Sequence, residues 1–458
     1  MNALQQLARW AATVTAGEFS CQWQQAKDWA TIALIDTIGC MTAGSHHPAS
    51  QLNYEALAQW GSGRSTAIGH LQPMSPPWAA MVNGTSGHAL DFNAWDERSA
   101  SHSSPVLLAA LLAVAEAEGK SGMDVIDAFI VGMEITMRVG AAVNLDHYHI
   151  GWHTTNTVAT IGGAVACARL LELDERGIGN AISIATSHTG GYKSQFGTTM
   201  KPIHCGMAAK AAVMSAYLAR TGIEGAADTL DGQWSLLSLQ ATNKAPGFAT
   251  ALADLGKSLA LAAYGVVLKP YPSCAYTHRS IDGLLDLRSE HGFSAENVTQ
   301  INARIPFYNA SILPYTHPVN DTEARFCMAY CLSIALLNGA VLPGDFDEES
   351  IFKPEIRTWL DRIVLETHPV VKGSSDLSTQ EPAVVTVKLA DGSVLDMTVD
   401  YARGMPQRPL IRDELEAKFI GLAEGKLGKH SAAKLLEQLW HFEQLADIDS
   451  FLNLLRFE

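Results

Sequence analysis

Positive charge is scarce in this 458-residue chain: 32 lysines and arginines stand against 47 aspartates and glutamates, for a formal net charge of -15. A surface of that sign repels phosphate backbones and anionic headgroups, so neither nucleic acid nor a membrane is an expected partner. Long apolar runs are missing too. None approaches the roughly 20 residues that span a bilayer, and the first stretch, MNALQQLARWAATVTAG, reads as the start of an amphipathic helix rather than a signal peptide. The cysteines are few and odd in number, at 21, 40, 167, 205, 274, 327 and 331, without the spacing of a disulfide framework. That pattern predicts reduced thiols and a cytoplasmic protein. Cys327 and Cys331, one helical turn apart, fit a core face better than a metal pair. No Cys-x-x-Cys and no His-Glu-x-x-His occurs, which argues against zinc at His147, His149 and His153. No Gly-x-Gly-x-x-Gly follows a strand and no βαβ alternation is visible, so a dinucleotide cofactor is not expected.

What the chain does contain is apolar bulk: 47% hydrophobic residues against 17% charged ones. The length favours two domains over one. Helical spacing of apolar residues runs through 25–43, from about Ser50, and through 77–90, 105–119, 123–142, 157–171, 177–187 and 204–222. Many of these helices are rich in Ala and Gly, which lets them approach closely. Composition changes after about residue 265. Val298 to Ile305 is a strand candidate, residues 278–289 and 323–338 are helical, and 383–389 with 394–399 alternate around Asp391-Gly392, a hairpin signal. From about Arg412 helices resume. The reading is a mainly α protein: a large helical domain built from both ends of the chain (1–266 and 406–458), with a smaller α+β domain (267–405) inserted.

Four stretches carry chemistry. Gly87 to Pro105, GHALDFNAWDERSASHSSP, sets two histidines, three acids and an arginine between apolar helices. Taken singly, Asp91 or Asp96 would be a helix cap; with His102 nearby they become site candidates. In HYHIGWHTT, His153 precedes Thr154 and Thr155 at a predicted helix start, where anions are attracted. Glu134 and Arg138 are a plain i,i+4 pair. GGYKSQFGTTMKPIHCGMAAK, residues 190–210, reads as a loop bearing Lys193 and Lys201 that leads into a close-packed helix from His204. Lys201 at its mouth suits a carboxylate, though a solvated loop lysine is the plain alternative. Thr199 and His204 flank it as binding candidates. The last stretch is KPYPSCAYTH, ending at His278.

Together with NDTEARFCMAY, these stretches follow in the order and approximate spacing of the MmgE/PrpD family, which the chain resembles over nearly its whole length. That family includes 2-methylcitrate dehydratase, cis-aconitate decarboxylase and iminodisuccinate epimerase. The resemblance implies a helical domain with an inserted α+β domain, a dimer, and action on small di- or tricarboxylates without metal or organic cofactor. It implies that Asp91, His102, His153, Lys201 and His278 line one pocket, with Tyr315 a looser match. One departure stands out. The family's first motif is commonly Asp-Phe-Asp-Asp-Thr, whereas here Asn93, Ala94 and Trp95 follow Asp91-Phe92 and the acids move to Asp96 and Glu97. The stretch from Lys193 to Gly206 is more similar to the epimerase branch.

The step common to such enzymes handles a proton on carbon beside a carboxylate. Lys201 would steady the developing enolate. A histidine would take the proton, His102 first and His153 second. Asp91 would orient a histidine or serve as the partner acid, and His278 would close the pocket and bind a distal carboxylate. Loss of a β-leaving group makes a lyase; return of the proton to the other face makes an epimerase; a repurposed pocket would only bind its acid. The small-residue helices at 105–118, 157–171 and 205–220 offer more apolar surface than one core needs and predict a homodimer. Light scattering at micromolar concentration should give twice the chain mass, and a monomer would refute this.

Overall fold

The computed structural model describes residues 1–368 and 381–457. Its apolar side chains gather into two main clusters. The larger draws on residues from Ala3 to Leu268 and again from Leu415 to Leu455. The second holds Tyr148 and residues from Tyr271 to Val387. No helix among the described residues is long and apolar enough to cross a membrane. The seven cysteines are free thiols, with all but Cys21 buried.

The helix Ser103–Glu118 is buried from Ser103 to Glu116. A helix apolar all round has no face to give to water, so it sits at the centre and others wrap it. Pro76–Ala89, Gly122–Val143, Thr154–Leu170 and Met200–Arg220 pack against it. Gly122–Val143 starts with a capping box between Ser121 and Asp124. Within it Arg138 Nε donates to Glu134 Oε1 at 2.8 Å, as the i,i+4 spacing predicts. From the other end of the chain, Arg412–Leu427 lies on the long helix Ala16–Gly44, with Phe419 and Ala423 in the same cluster.

The second cluster is built on a sheet. Strand β1 (Ser62–Ser65) stands apart; β2 (Val298–Ile305), β3 (Ile363–Thr367), β4 (Ala383–Leu389) and β5 (Val394–Val399) pair in the order β3-β2-β4-β5. Strand β2 is central, parallel to β3 with Ile301 opposite Ile363, and antiparallel to β4 with Ile301 opposite Val387. Its inward residues Ile301, Ala303 and Ile305 join Val385 and Val387 beneath the helices Ala275–His291 and Met328–Asn338. The β4–β5 hairpin has the bounds its alternation predicts, and its turn is held by Asp391 Oδ1 accepting from Ser393 N at 2.9 Å. The parallel β2–β3 pair, joined through helices, was not visible in the sequence. Pro306, not a glycine-rich turn, follows β2.

Several helix boundaries differ from the sequence reading, three of them at the motif residues. The helix expected from His204 begins at Met200, so Lys201 lies in its first turn rather than on a loop. Pro202 is tolerated there because a first-turn N–H has no intrahelical acceptor to lose. The helix expected to open at His278 begins at Ala275. The one expected over 323–338 is broken into Asp321–Ala324 and Met328–Asn338, with Cys327 Sγ capping the second through Tyr330 N at 3.4 Å.

The crossing of Pro76–Ala89 and Met200–Arg220 is backbone to backbone. A Cβ on Gly206 would collide with Met81 O and Thr85 Oγ1, and one on Gly84 would stand 3.0 Å from Gly206 Cα. Gly206→Ala should therefore force the two helices apart at a cost of about 1–3 kcal/mol, as for other overpacked cores. Denaturant melts should show a lower midpoint at unchanged slope, and an unchanged midpoint would show that the crossing relaxes freely.

Candidate active site

The helix crossing places two side chains together. His88 is in the last turn of Pro76–Ala89, and Lys201 is in the first turn of Met200–Arg220. Lys201 Nζ donates to His88 Nε2 and to Asp91 Oδ1, both at 2.9 Å. Just past the end of the first helix, Asp91 turns left-handed at φ +47, a region an aspartate enters more readily than most residues. The turn aims its carboxylate back at Lys201. A second ammonium, Lys269 Nζ, reaches Asp91 Oδ1 at 3.0 Å and Asp91 O at 2.9 Å. All three side chains are buried. Burial pushes the Asp91 carboxyl up, but the Lys201 and Lys269 ammonium groups outweigh it and hold the group well below the carboxylate range.

Four imidazoles surround this ion cluster. His102 and His153 are the residues just before Ser103–Glu118 and Thr154–Leu170. With Lys201 they place three helix N-termini around one space, and the partial positive charge of each end adds to that of the lysines. His153 Nδ1 shares a hydrogen bond of 3.0 Å with His204 Nδ1. Burial holds the pKa of His102 well below the imidazole range, helped by His88, Lys269 and Lys201; burial with His204 and Lys201 does the same to His153. His88 is pushed down to about 3 and His204 to about 4, by burial first and Lys201 second. Near neutral pH these rings are therefore uncharged, and the site carries two ammonium groups for one carboxylate.

The cavity above the cluster is small, about 50 Å³, room for a water or two and less than any di- or tricarboxylate fills. Asp91, His102, His153, Lys201 and Lys269 line it beside the larger core. Tyr148, Cys274, Tyr276 and Phe326 close it from the second. Burial pushes the Cys274 thiol up to about 11, so it presents a neutral group.

The structure thus brings together the four side chains to which sequence gave catalytic roles and sets the binding candidates further back. His278 does not reach this cavity. Because its helix starts at Ala275, the ring falls in the first turn, with Nε2 3.2 Å from Ser273 O and an edge-to-face contact on Tyr271, and it borders a neighbouring cavity instead. Thr199 is exposed before the Lys201 helix and makes no capping bond through its side chain. Tyr315 donates from its hydroxyl to Phe196 O at 3.2 Å, in a space left by Gly197, where a Cβ would collide with it; it holds the loop rather than lining the cavity. His204 touches His153 and does not line the cavity. Asp96 is a buried turn acid, accepting from Ser99 N and Ser103 Oγ. His88 and Lys269 were not singled out, and Asn93 only as a departure from the family motif, although all three stand in the quoted stretches.

His88, Asp91 and His102 offer ligand atoms within 4.8 Å of one another. They do not fit a metal ion, because Lys201 already donates to two of them and Lys269 to one. A divalent cation there would meet two positive charges at contact distance.

Residues 5–249 match the MmgE/PrpD N-terminal domain and residues 271–443 the MmgE/PrpD C-terminal domain. The chain belongs to the MmgE/PrpD family. Cis-aconitate decarboxylase of Homo sapiens is 29% identical over 437 residues, covering 92% of this chain and 89% of that protein. Cis-aconitate decarboxylase of Aspergillus terreus (strain NIH 2624 / FGSC A1156) is 25% identical over 473 residues, covering 98% and 95%. The 2-methylcitrate dehydratase of Cupriavidus necator is 26% identical over 423 residues, covering 84% and 82%. Every residue lining the cavity except Lys269 falls within the matched MmgE/PrpD domains.

If Lys201 steadies negative charge in the reaction, Lys201→Ala should lower kcat by about 10²–10³-fold, as when other such donors are removed. Lys201→Arg should not restore it, since a planar fork cannot replace a point charge held between His88 and Asp91. Steady-state kinetics, with circular dichroism to confirm folding, decides this; full activity in Lys201→Ala would overturn the assignment.

Proposed function

We propose that this chain is a lyase acting on a small di- or tricarboxylate, dehydrating or decarboxylating it with its own side chains and no cofactor. The observation that carries this reading is the excess of one ammonium over the single carboxylate in a cavity ringed by neutral imidazoles and three helix N-termini. A substrate carboxylate belongs against Lys201, where the charge of the enolate form develops. We assign the proton acceptor to His153. When His153 carries the proton it shares with His204 on Nδ1, its Nε2 keeps a lone pair.

In a dehydration, His153 would take the carbon-bound proton and the electron pair would pass to the enolate held by Lys201. The hydroxyl would leave as water with a proton from His102. In a decarboxylation, carbon dioxide would leave first, and the resulting enolate would take a proton on carbon from His102. A second reading, epimerisation of an iminodisuccinate-like acid, is favoured by the same pairing of one acceptor and one donor at a single cavity. His153 would remove the proton and His102 would return one to the opposite face.

We further propose that residues 1–266 and 406–458 act as one unit and 267–405 as another, in a homodimer. With only about 50 Å³ free, the acid would enter by parting the two cores, and closure would exclude water during reaction. A panel of citrate-like and aconitate-like acids in deuterated water, followed by product analysis, tests the reading. Turnover of one acid is expected, with deuterium on carbon in the recovered substrate if that acid is dehydrated and in the product if it is decarboxylated. In a dehydration, His153→Gln should lose exchange of that proton, while His102→Gln should keep it and lose product. Binding without turnover across the panel would mean a pocket that only holds its acid.

A further inference from the structure

Asn93 stands where the hydrogen bonds of the site change hands. Its Oδ1 is 2.8 Å from His88 Nδ1, and its Nδ2 is 2.8 Å from Ala94 O and 3.1 Å from His102 Nδ1. The amide cannot be turned end for end, because its oxygen would then face Ala94 O, acceptor against acceptor. Nδ2 is therefore a donor, and His102 Nδ1 must accept from it. A neutral imidazole carries one N–H, so that of His102 is on Nε2. On the other side, Asn93 Oδ1 accepts, so His88 carries its proton on Nδ1 and leaves Nε2 to accept from Lys201 Nζ. The bonds run one way: Lys201 to His88, His88 to Asn93, Asn93 to His102. The last donor, His102 Nε2–H, has no close acceptor in Asp91, whose Oδ1 is 3.9 Å away and already takes two ammonium groups. It faces the cavity that His102 lines.

We propose that Asn93 is a positioning residue that fixes neutral His102 as the Nε2–H tautomer and so makes it the proton donor, not the base, toward a bound acid. This rests on the lyase reading for its use in turnover, but not for the tautomer itself. An aspartate at the same place could only accept, and the oxygen in place of Nδ2 would lose the bond to Ala94 O and be repelled from it. Both His88 and His102 would then have to turn an Nδ1–H toward it, and a neutral His102 would present a lone pair at Nε2. The groups facing His102 are His88, Asp91, Lys201 and Lys269, and none of these changes in an Asn93→Asp variant.

The experiment has two arms. In the first, ¹⁵N-histidine-labelled enzyme without substrate is examined by long-range ¹H–¹⁵N correlation, with His88→Gln and His102→Gln identifying the two rings. Wild type should show a pyridine-like Nδ1 and a protonated Nε2 for His102; Asn93→Asp should reverse them. A protonated Nδ1 in wild-type His102 would overturn the proposal, whether or not any acid is turned over. In the second arm, Asn93→Asp should lower kcat about 100-fold near neutral pH, the scale of one general acid, with KM far less changed. Its kcat should recover as pH falls, because the introduced carboxylate favours imidazolium and imidazolium regains an N–H at Nε2. Wild type should show no such acid recovery. A variant as active as wild type at neutral pH, or equally impaired at every pH, would show that the tautomer is not used and would overturn the donor role.

Discussion

The buried carboxylate of Asp91 is the constraint on which the site depends. An isolated charge at that depth costs several kcal/mol, and losing one partner of such a pair typically costs 3–5 kcal/mol. The structure answers with two ammonium groups from distant parts of the chain. Lys201 arrives on a helix that can come close only where Gly206 meets Pro76–Ala89, and Lys269 arrives on the segment that joins the two cores. The close crossing of two helices and the placement of the reacting groups are therefore one requirement. Below them a second buried pair does similar service. Lys418 Nζ donates to Asp36 Oδ1 at 2.6 Å, Phe92 O at 2.7 Å and Lys269 O at 2.8 Å, while Asp36 Oδ2 accepts from Ala94 N at 2.7 Å.

Around this ion cluster, neutrality of the imidazoles is a consequence rather than a separate device. Burial and the nearby ammonium groups both disfavour a third positive charge, so the rings remain available to give and take protons. A di- or tricarboxylate entering there, as proposed, would reverse part of that field. Its negative charge would offset the lysines and make imidazolium less costly at the moment a proton must be accepted. The polar groups are already oriented before the acid arrives, which is the condition under which such fields lower barriers most.

Much of this was legible in the sequence, and the unread part has a common cause. Apolar spacing shows the helices and the hairpin because local periodicity reports burial on one face. The polar stretches around Asp91, His102, His153 and Lys201 are legible because charged residues between apolar helices need a reason to be there. Lys269 and His88 were not, because a cation's partner 178 residues away leaves no trace in spacing. Asn93 stood out only as a departure from a motif; its function is a matter of which amide atom faces Ala94 O, a question that needs coordinates. His278 misled because a proline-rich stretch hides a helix start, and a shift of three residues turns a side chain from one cavity to its neighbour.

Lys418 and Asp36 are 382 positions apart, yet together they hold the loop that presents Asp91 and Asn93. While the chain is being made on the ribosome, Asp36, Asp91 and Lys201 all emerge long before Lys418. The nascent polypeptide thus carries Asp91, His102, His153 and Lys201 before the clasp on the Asp91 loop can form. The loop that carries Asp91 and Asn93 is therefore fastened only once synthesis has passed this late helix.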